Sequence, residues 1–169
     1  AGAYFITICC EDRICRFGKV INGEMVLNQF GEIAYNEWIK LADRFINFEL
    51  DVFQIMPNHV HVIIAFRNTG ESINTIVGNG KRFMAYKIVE RLKEQNESKL
   101  LGLLESNVEQ SRKAKNKQHH VWELSFDWKH CDSEKFIVQK LDYFHDNPCR
   151  GKWNLCNSPV DYKHSSAKF

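Results

Sequence analysis

The chain has 169 residues, of which 44% are hydrophobic and 12% aromatic, and 23 basic against 21 acidic residues leave a net charge of +2. That length fits one domain with a sizeable core, and the composition excludes disordered and fibrous classes. No apolar run approaches the roughly 20 residues that a membrane-spanning helix needs, and so small a net charge does not by itself announce a nucleic-acid binder.

Residues 3–10 (Ala-Tyr-Phe-Ile-Thr-Ile-Cys-Cys) are β-branched and aromatic, so they read as a strand. They lack the basic leader and small-residue cleavage site of a secretory signal. Six cysteines, none in a Cys-x-x-Cys pair, then fit reduced thiols in a cytoplasmic protein, and no role is assigned to them. Asn22-Gly23 between Val20-Ile21 and Met25-Val26-Leu27 is tight-turn chemistry and predicts a hairpin.

From about Glu32 to Phe48, Ile33, Trp38, Ile39, Leu41, Ala42 and Phe45 recur at roughly helical spacing. Two strands follow, 49–56 and 59–66, and Pro57-Asn58 between them predicts a second hairpin. Ser72 is placed to cap a helix running to about Gln95, although Gly78 and Gly80 weaken its first half. The polar stretch 96–120 reads as a loop and Val121–Phe126 as a last strand. Ser133 opens a final helix that ends near Asn147, because Pro148 disfavours helical geometry in the residue before it. Strand, helix, strand, strand, helix, strand is the order of an α+β, ferredoxin-like split βαβ sandwich. Its antiparallel sheet carries helices on one face, the last helix is an addition, and the other face is left for a ligand.

Two features carry chemistry. In a strand, His59 and His61 leave the same face about 7 Å apart along the backbone, so they can share a metal, while Val60, Val62 and Ile64 fill the core side. In the last helix, Gln139, Tyr143 and Asn147 are spaced four apart and lie on one stripe. A phenol of ordinary pKa about 10 is a poor nucleophile unless its proton is removed and the electrophile is polarised. A divalent ion held by two imidazoles can polarise a phosphodiester, and the side-chain oxygen of Asn147 is a candidate third ligand. Imidazole favours Mn²⁺ over Mg²⁺, though Mg²⁺ serves where it is abundant. Gln139 is a candidate for orienting the tyrosine or a bound strand.

Met56-Pro57-Asn58-His59-Val60-His61 with its apolar continuation, and Asp142-Tyr143-Phe144-His145-Asp146-Asn147-Pro148, together resemble the single-tyrosine HUH transposases. The REP-associated tyrosine branch is the nearest. Tyr4-Phe5-Ile6-Thr7, Asn22 to Leu27, Lys81-Arg82-Phe83 and Tyr162 to Ala167 extend the resemblance over nearly the whole chain. It implies one HUH endonuclease domain over residues 1–169, with metal ligands at His59, His61 and Asn147 and a nucleophile at Tyr143. It implies cleavage and rejoining of single-stranded DNA near imperfect hairpins through a 5′-phosphotyrosine link. It further implies Mg²⁺ or Mn²⁺ as cofactor with no nucleotide, and a bacterial protein acting as monomer or homodimer.

For Lys81 and Arg82, contact with DNA phosphates is the expected role, with plain surface charge as the alternative, whereas Phe83 reads as core. Two other readings stay open. A metal-dependent hydrolase would not need Tyr143, and a DNA-binding protein that no longer turns over would not need the histidines.

Overall fold

Tyr4, Ile6 and Ile8 alternate with Phe5 and Thr7, which gives the first strand two unlike faces. In the computed structural model, which describes residues 2–44, 48–66, 70–108 and 118–168, this strand (β1, Gly2–Cys9) lies inside a four-stranded sheet. Its neighbours are β5 (His59–Phe66) and β6 (Asp127–Cys131), and β4 (Phe48–Met56) lies outside β5, so the order is β4-β5-β1-β6 with every pair antiparallel. This is the expected split βαβ arrangement. A separate hairpin joins β2 (Gly18–Ile21) to β3 (Glu24–Leu27), with Asn22 at φ 53° and Gly23 at φ 81° in the left-handed region that the Asn-Gly turn requires.

Helix α1 (Gln29–Arg44) and helix α2 (Ile73–Glu94) cover one face of the sheet. Ile33, Ala34 and Trp38 of α1 and Met84, Ile88 and Leu92 of α2 pack with Ile6, Ile8, Val60 and Val62 in the main core. On the opposite face Phe5, Ile63 and Cys131 form a second core with Phe144, which belongs to the last long helix, here α4 (Glu134–Asp146). The His59 and His61 side chains point to this second face, so the tyrosine helix and the histidine strand meet there.

Local chemistry explains most boundaries. Asn28 Oδ1 accepts from Gly31 N at 2.9 Å, so α1 starts at Gln29, three residues before the expected Glu32. Gly31 is required there, since a Cβ would overlap the Phe17 carbonyl oxygen. The expected end of that helix falls partly on residues 45–47, outside the described ones, and Phe48 already belongs to β4. Ser72 accepts from Thr75 N at 3.2 Å and Ser133 from Phe136 N at 3.3 Å, which are the two caps the sequence signalled. Helix α2 runs unbroken through Gly78 and Gly80.

Two expectations are corrected. The stretch 96–120 is not all loop, because Ser98–Ser106 forms a short helix (α3) whose Leu104 is buried in the main core; residues 109–117 lie outside the described ones. The last strand is not Val121–Phe126 but β6, five residues pairing with Ala3–Thr7. Val121 and Trp122 are buried as expected of a strand, yet Trp122 makes only an isolated bridge to Cys10. The next three carbonyls turn toward Lys81 and leave no ladder there. Among the described residues no helix is long and apolar enough to cross a membrane.

Candidate functional site

The turn at Pro57-Asn58 sets Met56 opposite His59, and the register of the hairpin fixes everything after it. His59 and His61 emerge on one face, as alternation demands. Their Nε2 atoms stand 3.1 Å apart with the rings nearly perpendicular. From α4, across the second core, the Asn147 amide comes within 3.1 Å of His61 Nε2 and 3.5 Å of His59 Nε2. Asn147 is held where the helix ends, its backbone N–H donating to the carbonyls of Tyr143 and Phe144.

Each imidazole is fixed from behind. His59 Nδ1–H donates to Asn58 Oδ1 at 2.6 Å, and the Asn58 amide is itself anchored by donating to the Arg13 carbonyl. His61 Nδ1 meets Thr7 Oγ1 at 2.9 Å, since Thr7 lies directly opposite it on β1. With Nδ1 as donor in both rings, both Nε2 lone pairs face the same point. Two lone pairs so close are satisfied by a shared proton or by a cation. Burial pushes the His59 pKa down to about 4, helped by the positive charges of Lys152 and Arg13. Burial also holds His61 well below the ordinary histidine value, with His59 and Lys140 adding to it. Both rings are therefore neutral near pH 7, the form that binds metals.

The donor set fits a divalent cation. Edges of 3.1, 3.1 and 3.5 Å between the three side chains match adjacent ligands each about 2.1 Å from one ion. The amide of Asn147 presents oxygen once its two ends are exchanged, a choice that hydrogen bonding alone decides. Among the described residues no three His, Cys, Asp or Glu side chains gather as metal ligands, so the amide is what makes this cluster three-fold.

Tyr143 stands on the rim. It is 54% exposed, and its ring lies 6.2 Å from His61 and 6.3 Å from Phe5. Helix α4 thus carries an accessible phenol one turn before the third arm of the cluster. Gln139 is also exposed, but no hydrogen bond joins it to Tyr143 or to Asn147, so the orienting role has no contact behind it.

Lys81 and Arg82 lie on the opposite face of the sheet, on α2. Arg82 is exposed and donates to Asn79 Oδ1 at 3.1 Å. Lys81 is placed differently from the expectation: it is 8% exposed, and its ammonium donates to the carbonyls of Glu123, Leu124 and Ser125 at 2.7, 3.2 and 3.0 Å. Its ammonium ties α2 to the segment before β6. Phe83 packs against the main core, as expected.

Three residues near the cluster were given no role from the sequence. Thr7 becomes visible only through the β1–β5 register, and Asn58 was read as turn chemistry alone. Lys140, one turn before Tyr143, was legible as a helical neighbour of it.

No family model matches the chain. A Haemophilus influenzae protein of uncharacterised function is 29% identical over 150 residues, covering 87% of this chain and 80% of its own. The solved structure of a REP-associated tyrosine transposase bound to a REP hairpin superposes at TM-score 0.63 and 15% identity. That alignment covers 99% of this chain and 77% of the transposase. The likeness is one of architecture: the chain has the fold of a REP-associated tyrosine transposase.

Proposed function

We propose that this protein cleaves and rejoins single-stranded DNA as a single-tyrosine HUH endonuclease, transposase-like, acting near DNA hairpins. The observation that carries the reading is the convergence of His59, His61 and Asn147 within 3.5 Å of one another beside the exposed phenol of Tyr143. A hydrolase that uses only a metal does not require that phenol on the same helix as a ligand. The hairpin substrate is drawn from the transposase of like fold, whose structure holds a REP hairpin.

His59, His61 and Asn147 would hold a divalent cation, Mg²⁺ or Mn²⁺, and it would supply polarisation of the scissile phosphodiester. The Tyr143 oxygen attacks phosphorus in line as its proton passes to solvent. The bond from phosphorus to the 3′ oxygen breaks, and that oxygen takes up a proton. The products are a 5′-phosphotyrosine and a free 3′-OH, and attack by a 3′-OH on the same linkage reverses the step. One phosphodiester is exchanged for another, so no nucleotide is needed to drive rejoining. Second-core packing of Phe144 against Phe5 and Ile63 keeps the helix at the right height above the histidines. Arg82, exposed on the far face, is left as a candidate backbone contact for flanking DNA.

Incubation with labelled hairpin DNA and Mn²⁺ followed by a denaturing gel tests the reading. A covalent protein–DNA band is expected from the native chain and none from Tyr143→Phe, which should still bind the DNA. An adduct that persists in Tyr143→Phe would remove the tyrosine from the mechanism, and no adduct from any hairpin despite tight binding would favour a DNA-binding protein without turnover.

A further inference from the structure

We propose that Lys140 is the cation that receives the attacked phosphate, a substrate contact at the Tyr143 site. The inference rests on the reading of that site as one for single-stranded DNA. Lys140 lies one helical turn before Tyr143, and its ammonium sits 5.6 Å from the centre of the Tyr143 ring, 5.3 Å from that of Phe5 and 5.2 Å from that of Phe136. Phe5 in turn stacks on His61 at 5.4 Å. The ammonium and the histidine pair therefore share one aromatic wall, and the Tyr143 ring lies against both.

Several other cations are already engaged. Lys87 pairs with Glu90, Arg91 with Glu37, Arg150 with Asp146 and Lys163 with Glu24. Lys81 is consumed by three carbonyls. Among the described residues no carboxylate pairs with Lys140, even though Asp142 is two residues away on the same helix. Three ring faces flank its ammonium, and such contacts are weak beside a full ion pair, so the charge stays available to an anion that can displace water from it. When the phenol oxygen attacks, negative charge gathers on the phosphate oxygens, and in the reverse step it gathers on the departing phenolate oxygen. An ammonium over the Tyr143 ring is placed to stabilise both.

The test is a salt titration of binding to a labelled single-stranded oligonucleotide of about 20 nucleotides. Lys140→Met keeps the apolar stem on the rings and removes the charge, while Lys140→Arg keeps the charge. Loss of one phosphate contact lowers the slope of log K against log salt by about 0.7 for single strands. That drop is expected in Lys140→Met and not in Lys140→Arg, with single-turnover adduct formation slowed at least about tenfold in Lys140→Met. An unchanged slope in Lys140→Met overturns the contact while leaving the nuclease reading intact, provided the native chain still forms its adduct. Failure of the native chain to bind the strand at all overturns both.

Discussion

A neutral imidazole holds a cation only through a lone pair aimed at it, and at His61 the choice of nitrogen belongs to Thr7. The Thr7 hydroxyl is 2.9 Å from Nδ1, the ring nitrogen that faces away from the cluster. Accepting the Nδ1–H leaves Nε2 bare toward His59 and Asn147. Thr7→Val keeps the shape of the side chain and removes the acceptor. Mn²⁺ affinity by isothermal calorimetry is expected to fall about 10-fold or more, and His61→Ala should abolish the binding. Equal affinity in Thr7→Val would show that packing against Phe5 and Phe144 alone orients the ring. The histidines and Asn147 were legible in the sequence because strand alternation and helical spacing are local rules. Thr7 was not, because its meaning comes from a partner 54 residues away.

At the scale of elements the same divide between local and distant information recurs. Caps at Ser72 and Ser133 and turns at Asn22-Gly23 and Pro57-Asn58 were read correctly, since each involves neighbours in the chain. The segment after α3 was not. Its aromatic and apolar residues resemble a strand, but the backbone of residues 123–125 is committed to an ammonium on α2. Periodicity cannot reveal that commitment, and β6, mostly exposed on the sheet edge, offers little apolar pattern of its own. Lys81 is thus the tie between α2 and the approach to β6. Lys81→Met removes the charged donor to three carbonyls and is expected to lower stability by about 2 kcal/mol in urea unfolding. The salt dependence of single-stranded DNA binding should not change. A reduced slope would return Lys81 to the DNA surface.

Across the whole molecule, the C-terminal residues strap the edge of the sheet. The Tyr162 hydroxyl donates to the Ile55 carbonyl at 2.7 Å, and Ile55 N donates to the His164 carbonyl at 2.9 Å. His164 is half-buried between the Tyr162 and Tyr35 rings, and its Nε2 is 3.1 Å from the Met25 carbonyl. Burial lowers its pKa, the bond to Met25 works in the opposite direction and Lys163 adds to the lowering. A lowered folded pKa means that the unfolded chain binds more protons as pH falls below the ordinary histidine value of about 6.5. The stabilisation is therefore complete above that value and declines below it. Urea midpoints at about pH 7.5 and 5.5 should fall with acid, and His164→Gln should flatten that fall; an identical fall would assign the acid sensitivity to the other buried histidines.

Helix α4 unites two parts of the site whose joint consequence is about fidelity. Asn147 donates its backbone N–H to the carbonyl of Tyr143 itself, so phenol and amide move as one piece. Under the proposed mechanism a severed strand is moored to that piece. If the helix drifts away with its cargo, it withdraws the amide from His59 and His61 in the same motion. On that mechanism a strand end carried off by a drifting helix leaves with an enzyme that has lost its third ligand, and the complex that keeps its ligands together is the one poised to reseal.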